Sequence, residues 1–183
     1  MKAIEIMMEE HRYIERMLKV VRKVCYNILQ GEDIDYDDFD KIIEFIKNYA
    51  DGHHHNKEEI FLFNKMVEKL GSTGEVIIKN GMLVEHDLGR AYVKELIEGL
   101  EKVKAGDEES KLDVIAAAIS YTHLLEKHID KEDNVIYKFA TRELDDSILK
   151  EIELQCVEYE TINEATRKKN IAILENLEKK VQL

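Results

Sequence analysis

Proline is absent from the chain, and glycine occurs only 8 times in 183 residues. Proline breaks a helix by removing an amide donor and clashing with the preceding turn, and glycine weakens one through backbone entropy. Their scarcity, beside 36% charged residues, excludes a turn-rich β fold and predicts long uninterrupted helices. No apolar run is long enough for a signal peptide or a membrane span, and MKAIEIMMEEH is acidic by its fifth position, so a cytoplasmic protein is expected. Nor is there a block of Lys and Arg that could cradle phosphates. With a formal charge of −12, nucleic acid and anionic membranes are excluded as partners and a cation is favoured. Cysteines number only 2, Cys25 and Cys156, far apart and in no CxxC arrangement, which predicts small buried apolar residues.

The length suits one domain, and 44% hydrophobic content is ordinary for a globular core. Residues 2 to about 29 show the clearest period: Ile4, Met7, His11, Ile14, Leu18, Val21, Cys25 and Ile28 follow steps of three and four. Gly31 reads as a stop, and the aspartates of GEDIDYDD as N-caps for a second helix from about 36 to 70. Its inward stripe is Ile43, Ile46, Ala50, His54, Glu58 and Phe61 or Leu62. GSTGE at 71–75 is the next break, before a third helix to about 105 carrying Leu83, His86, Gly89, Val93, Leu96 and Leu100. A fourth helix, from about 108 to 143, aligns Val114, Tyr121, Leu125, His128, Glu132 and Phe139. A fifth, from about Asp146 to Lys180, completes the chain. The expected architecture is an all-α, antiparallel up-down four-helix bundle over residues 1–143, with a long C-terminal helix over 144–183 packed on the same domain.

The stripes contain polar residues where apolar ones belong. His54 and Glu58 lie four residues apart within HHHNKEE, and His128 and Glu132 repeat the spacing within HIDKED. One helical turn places each pair on one face, a neutral nitrogen donor beside an anionic oxygen donor. His11 and His86 lie on the inward stripes of two other helices. Short loops demand antiparallel neighbours, and at about 1.5 Å per residue the candidates level across each loop. His11 and His54 are about 18 and 17 residues from the first connection, Glu58 and His86 about 12 from the second, and His86 and His128 about 19 from the third.

Buried carboxylates without compensation are costly, whereas a cation neutralises them, so this layer suits two metal ions bridged by carboxylates. Mixed nitrogen and oxygen donors without thiolate favour iron, manganese or zinc. The HExxH zinc-hydrolase motif, a GxSxG nucleophile, a Walker loop and the Glu-x-x-His pairs of ferritin-like proteins are all missing.

Nearly the whole chain resembles the hemerythrin-like family, in its HHE cation-binding branch. The segments that carry the likeness are EEH at 9–11, HHHNKEEIFLF, LVEHDLGR and LLEKHIDKEDNVIY. The resemblance implies a four-helix bundle holding two iron ions in an oxo- or hydroxo-bridged centre, zinc or manganese being less favoured, with His11, His54, Glu58, His86, His128 and Glu132 as ligands. Oxygen carriers of the family place a second histidine one turn before His86, where this chain has Met82, which implies six ligands and a more open site. The carriers' spacing for the last carboxylate selects Asp133, while the four-residue offset selects Glu132.

Three functions are compatible with these residues. The first is a di-iron protein that binds oxygen, peroxide or nitric oxide for sensing, storage or protection. An enzyme or repair protein handling peroxide, nitric oxide or iron delivery is the second, and a metal-free helical interaction module the third. At about 100° to either side of His54, His53 and His55 are expected at the helix surface or beside a ligand, and Glu85 in solvent. His123 is expected at the surface, Tyr121 in the core near the centre, and Met7, Met8 and Met82 as packing. The oligomeric state is not legible.

Overall fold

The computed structural model describes residues 2–183, and every regular element among them is helical. Helix α1 spans Lys2–Leu29, and its buried side chains include Met7, His11, Ile14, Leu18, Val21, Cys25 and Ile28, the stripe that the period of the sequence predicts. Met17, Val20 and Val24 are buried besides, because α1 packs on several neighbours at once. The chain turns at Gly31, whose φ of +98° suits a residue without Cβ, and Asp35 then caps α2 (Tyr36–Phe45) by accepting the Asp38 amide at 3.1 Å. Helical winding continues from α2 through two π-helical stretches, Ile46–His55 and Glu58–Phe63, into α3 (Asn64–Lys69).

The break predicted over 71–75 narrows to Leu70 and Gly71, and α4 (Gly71–Ile77) starts at once. Gly74 permits this tight reversal: a Cβ there would lie 2.2 Å from the Met66 carbonyl oxygen. A π-helical stretch over Ile78–Met82 leads into α5 (Leu83–Lys104). After the turn at Gly106, α6 (Lys111–Lys131) passes through a further π-helical stretch, Glu132–Ile136, into α7 (Tyr137–Glu143). The single C-terminal helix expected from the sequence is instead two, α8 (Asp146–Ile162) and α9 (Glu164–Val181). Asn163 separates them, its backbone leaving the helical region at φ −100° and ψ 12°, while its side-chain amide and its own N–H both donate to the Tyr159 carbonyl, at 2.9 and 3.0 Å.

Helix α5 packs along α6, and α6 along α1. α9 lies against α1 and α2, and α8 against α1 and the Glu58–Phe63 stretch. The interior holds two apolar clusters, one containing Ile14, Leu18, Ala50, Val93 and Leu125, the other Met7, Leu62, Met82, Ile136 and Cys156. Between them along each long helical path lies a buried polar layer: Glu10 and His11; His53, His54, His55, Lys57 and Glu58; His86; His128 and Glu132. Both cysteines are buried and unpaired. No helix among the described residues is long and apolar enough to cross a membrane.

Candidate metal centre

All six residues singled out from the sequence meet in the polar layer. Ligand atoms of His11, His54, Glu58 and Glu132 lie within 4.8 Å of one another, and so do those of His55, Glu58, His86 and His128. Glu58 belongs to both groups and joins them. Glu132 reaches across as well, with Oε2 3.2 Å from His11 Nε2 and Oε1 3.2 Å from His128 Nε2.

Each of the five imidazoles is held from behind by a carboxylate. Nδ1 of His11 lies 2.7 Å from Asp133, that of His54 2.9 Å from Glu10, and that of His55 3.3 Å from Asp51. His86 Nδ1 lies 2.7 Å from Glu59, and His128 Nδ1 2.8 Å from Glu85. An outer carboxylate at Nδ1 turns Nε2 inward and fixes the ring plane. A cation stands behind every one of these carboxylates: Arg12 on Asp133, Lys57 on Glu10, Lys131 on Glu85, and Arg90 on Asp51 at 2.7 Å and on Glu59 at 2.8 Å.

This arrangement corrects several expectations. Asp133 lies behind His11, while Glu132, the carboxylate selected by the four-residue offset, points into the layer. Glu85 is not a solvated carboxylate but the acceptor for His128. His55 is buried and stacks on His86 with ring centroids 3.8 Å apart, which brings the inward donors to seven. At α-helical winding, about 100° per residue, it would lie off the face. His54 and His55 both lie in a π-helical stretch, whose wider turn rotates consecutive residues less and lets both enter. His53, also buried, turns the other way, to Glu10 at 3.1 Å. Met82 is core packing, 1% exposed in the second apolar cluster. Tyr121 lines a cavity of about 100 Å³ with Ile46, His55, His86, Gly89 and Val93. His123 is exposed, as expected.

Tyr137 is the residue that the sequence reading missed. Its hydroxyl donates to Glu58 Oε1 at 2.5 Å and lies 3.4 Å from His11 Nε2, and its ring stacks on that of His11. Five residues beyond Glu132, it falls off an α-helical stripe. The π-helical stretch at Glu132–Ile136 restores it to the face, since i and i+5 then align.

Buried carboxylates dominate the electrostatics. Burial and the neighbouring Glu132 push the Glu58 carboxyl well up. Burial acts the same way on Glu132, but the His128 and His11 imidazoles outweigh it and hold its carboxyl well down. Burial opposes charge on His11, yet Asp133 and Glu132 raise it to about 9; against the same opposition, Glu132 and Glu85 raise His128 to about 10. His54, by contrast, is driven down to about 4 by burial and by His11, and His55 is lowered by burial and by His86. Protons on some imidazoles and on Glu58 thus take up the role of a cation. Glu58 Oε2 and both Glu132 oxygens nonetheless lack a hydrogen-bond partner among the described residues. Buried carboxylate oxygens are rarely left so, and the inward imidazoles beside them, once they give up their protons, form a donor set that fits metal ions.

Residues 2–140 match the family described as the hemerythrin HHE cation-binding domain. No curated protein and no solved structure gives a match. The match covers most of the chain and spans every residue of the polar layer described above, and the chain therefore belongs to the hemerythrin HHE cation-binding domain family.

Proposed function

We propose that this protein is a di-iron protein that binds dioxygen or a related small oxidant, peroxide or nitric oxide, in sensing, storage or protection of the cytoplasm. The observation that carries the reading is the layer itself: five imidazoles with Nε2 turned inward, and two shared carboxylates three of whose four oxygens lack hydrogen bonds. His11, His54, Glu58 and Glu132 would hold one ion, and His55, Glu58, His86 and His128 the other. Nitrogen and carboxylate donors without thiolate suit iron, with manganese or zinc as poorer fits, and iron would supply reversible redox chemistry toward small oxidants. The protein's share is to hold the rings in one tautomer, to keep bulk water out, and to leave room for a small ligand in the cavity beside His55 and His86. The alternation of the two apolar clusters about the layer supports an antiparallel up-down bundle over 1–143, with the C-terminal segment packed on the same domain.

Tyr137 favours a second reading, an enzyme acting on peroxide or nitric oxide or a protein delivering iron for repair. Its phenol holds a proton 2.5 Å from Glu58, where a reacting oxidant would need one. The test of the main reading is optical spectroscopy of the iron-loaded protein exposed anaerobically and then to air, peroxide and nitric oxide. Reversible spectral change with dioxygen or nitric oxide is expected; no response to any of the three contradicts it. Sustained peroxide consumption, lost in Tyr137→Phe at matched iron content, would instead select the enzyme.

A further inference from the structure

Beside the centre lies a second buried cluster of charge. Glu10, His53 and Glu160 bring ligand atoms within 4.8 Å of one another, the composition of another cation site. That place is already taken. The Lys57 ammonium, fully buried, bonds to Glu10 and to Glu160 and lies 3.3 Å from His53 Nε2. His53 Nε2 in turn bridges the carboxylates, 3.1 Å from Glu10 and 2.9 Å from Glu160. Glu10 spends its other oxygen on His54 Nδ1 at 2.9 Å. Glu160 stands on α8, beyond the residues matched to the family, and next to it the Tyr159 hydroxyl donates to the Gly52 carbonyl at 3.0 Å, within the π-helical stretch that carries His54.

We propose that Glu160 and Lys57 form a latch through which α8 holds Glu10 against His54, so that docking of α8 and cation binding at the His11–His54 side of the centre strengthen one another. The proposal rests on the reading of the polar layer as a metal centre. Glu10 can serve His54 only while its negative charge is balanced in a place where water cannot screen it, and a lone ammonium between two carboxylates needs both to be held in position. Remove Glu160, and Lys57 and His53 lose the carboxylate that ties them to α8, keeping there only the ring of Tyr159. Glu10 is then free to shift toward either of them, and the His54 ring loses its orientation. Glu160 is accordingly a positioning residue for His54, not a ligand. Coupling is reciprocal by thermodynamic necessity, so a metal ion that draws on an oriented His54 must tighten the docking of α8.

Two measurements on the full chain test the latch. Fe(II) added anaerobically to metal-free native protein should slow amide hydrogen exchange over residues 156–162. In Glu160→Gln that metal-dependent slowing should vanish, and one of the two irons should bind about 10–100-fold more weakly, the loss typical of a group hydrogen-bonded behind a ligand. In chelator-buffered Fe(II) the content should fall from two per chain toward one. Glu151→Gln, which breaks the 3.0 Å surface ion pair between Lys65 and α8, serves as control and should retain both irons. Two irons bound by Glu160→Gln at native affinity, or native exchange over 156–162 that ignores iron, would overturn the latch while leaving the centre intact. Native protein that binds no iron pair would overturn the reading of the centre, and the latch with it.

Discussion

Each inward imidazole is gripped twice, at Nδ1 by an outer carboxylate and, through that carboxylate, by an arginine or lysine. Asp133 and Glu132 are neighbours in sequence but occupy different tiers of this construction, and they should fail differently. Glu132→Ala removes the carboxylate that lies 3.2 Å from both the His11 and the His128 rings, and is expected to lower metal content from two ions to one or none. Asp133→Asn keeps a hydrogen-bond acceptor behind His11 and is expected to weaken one ion by about tenfold with full content at saturating metal. Metal analysis after dialysis distinguishes them, and equal loss in both variants would move Asp133 into the layer. At this scale His11, His54, Glu58, His86, His128 and Glu132 were legible because polar residues interrupted apolar stripes. The acceptors Glu10, Asp51, Glu59 and Glu85 were not, since an outer carboxylate on an acidic chain looks like any solvated one.

The π-helical stretches decide which of the remaining residues enter the layer. After Glu58 the buried positions include Phe63 beside Leu62, and after Glu132 Tyr137 beside Ile136; Phe63 and Tyr137, five residues on, lie off the α-helical stripe. His55 and Tyr137 were therefore hidden from any argument with a fixed period of 3.6, although helix existence and approximate ends followed from glycines and caps. A consequence concerns Met82. With His55 already supplying a fifth imidazole and Met82 packed among Met7, Phe63 and Met66, Met82→His would bury a polar ring without a partner. It is expected to lower stability by about 1–3 kcal/mol and to leave metal content at two. His55→Ala, in contrast, should weaken the ion on the His86 side with little change in folding. Denaturant unfolding beside metal analysis would show the division; a gain of affinity in Met82→His would contradict it.

For the whole molecule, the all-helical class and the single polar layer were readable from proline scarcity and stripe periodicity. The division of the C-terminal segment at Asn163 was not, because it consists of one residue's backbone rotation with no glycine or proline to mark it. Burying the layer also makes cation binding depend on pH in a definite direction. In the metal-free protein His11 and His128 hold protons up to about pH 9 and about pH 10, and a metal ion can use only the neutral ring. Binding near neutrality therefore expels protons, and affinity rises with pH until those rings are already neutral. A chelator-competition titration with Co(II) at pH 7, 8 and 9 should show about tenfold tighter binding per unit for each proton displaced. An affinity independent of pH over that window would mean that the rings are neutral before the metal arrives.

The central claim is that one buried layer holds two ions, each on its own set of imidazoles, with Glu58 shared between them. Anomalous diffraction at the iron edge, from crystals of protein produced with iron, tests it most directly. Two peaks per chain are predicted, one beside His11 and His54, the other beside His55, His86 and His128, with Glu58 touching both. A single peak, or peaks with His55 turned away from either, would contradict the account.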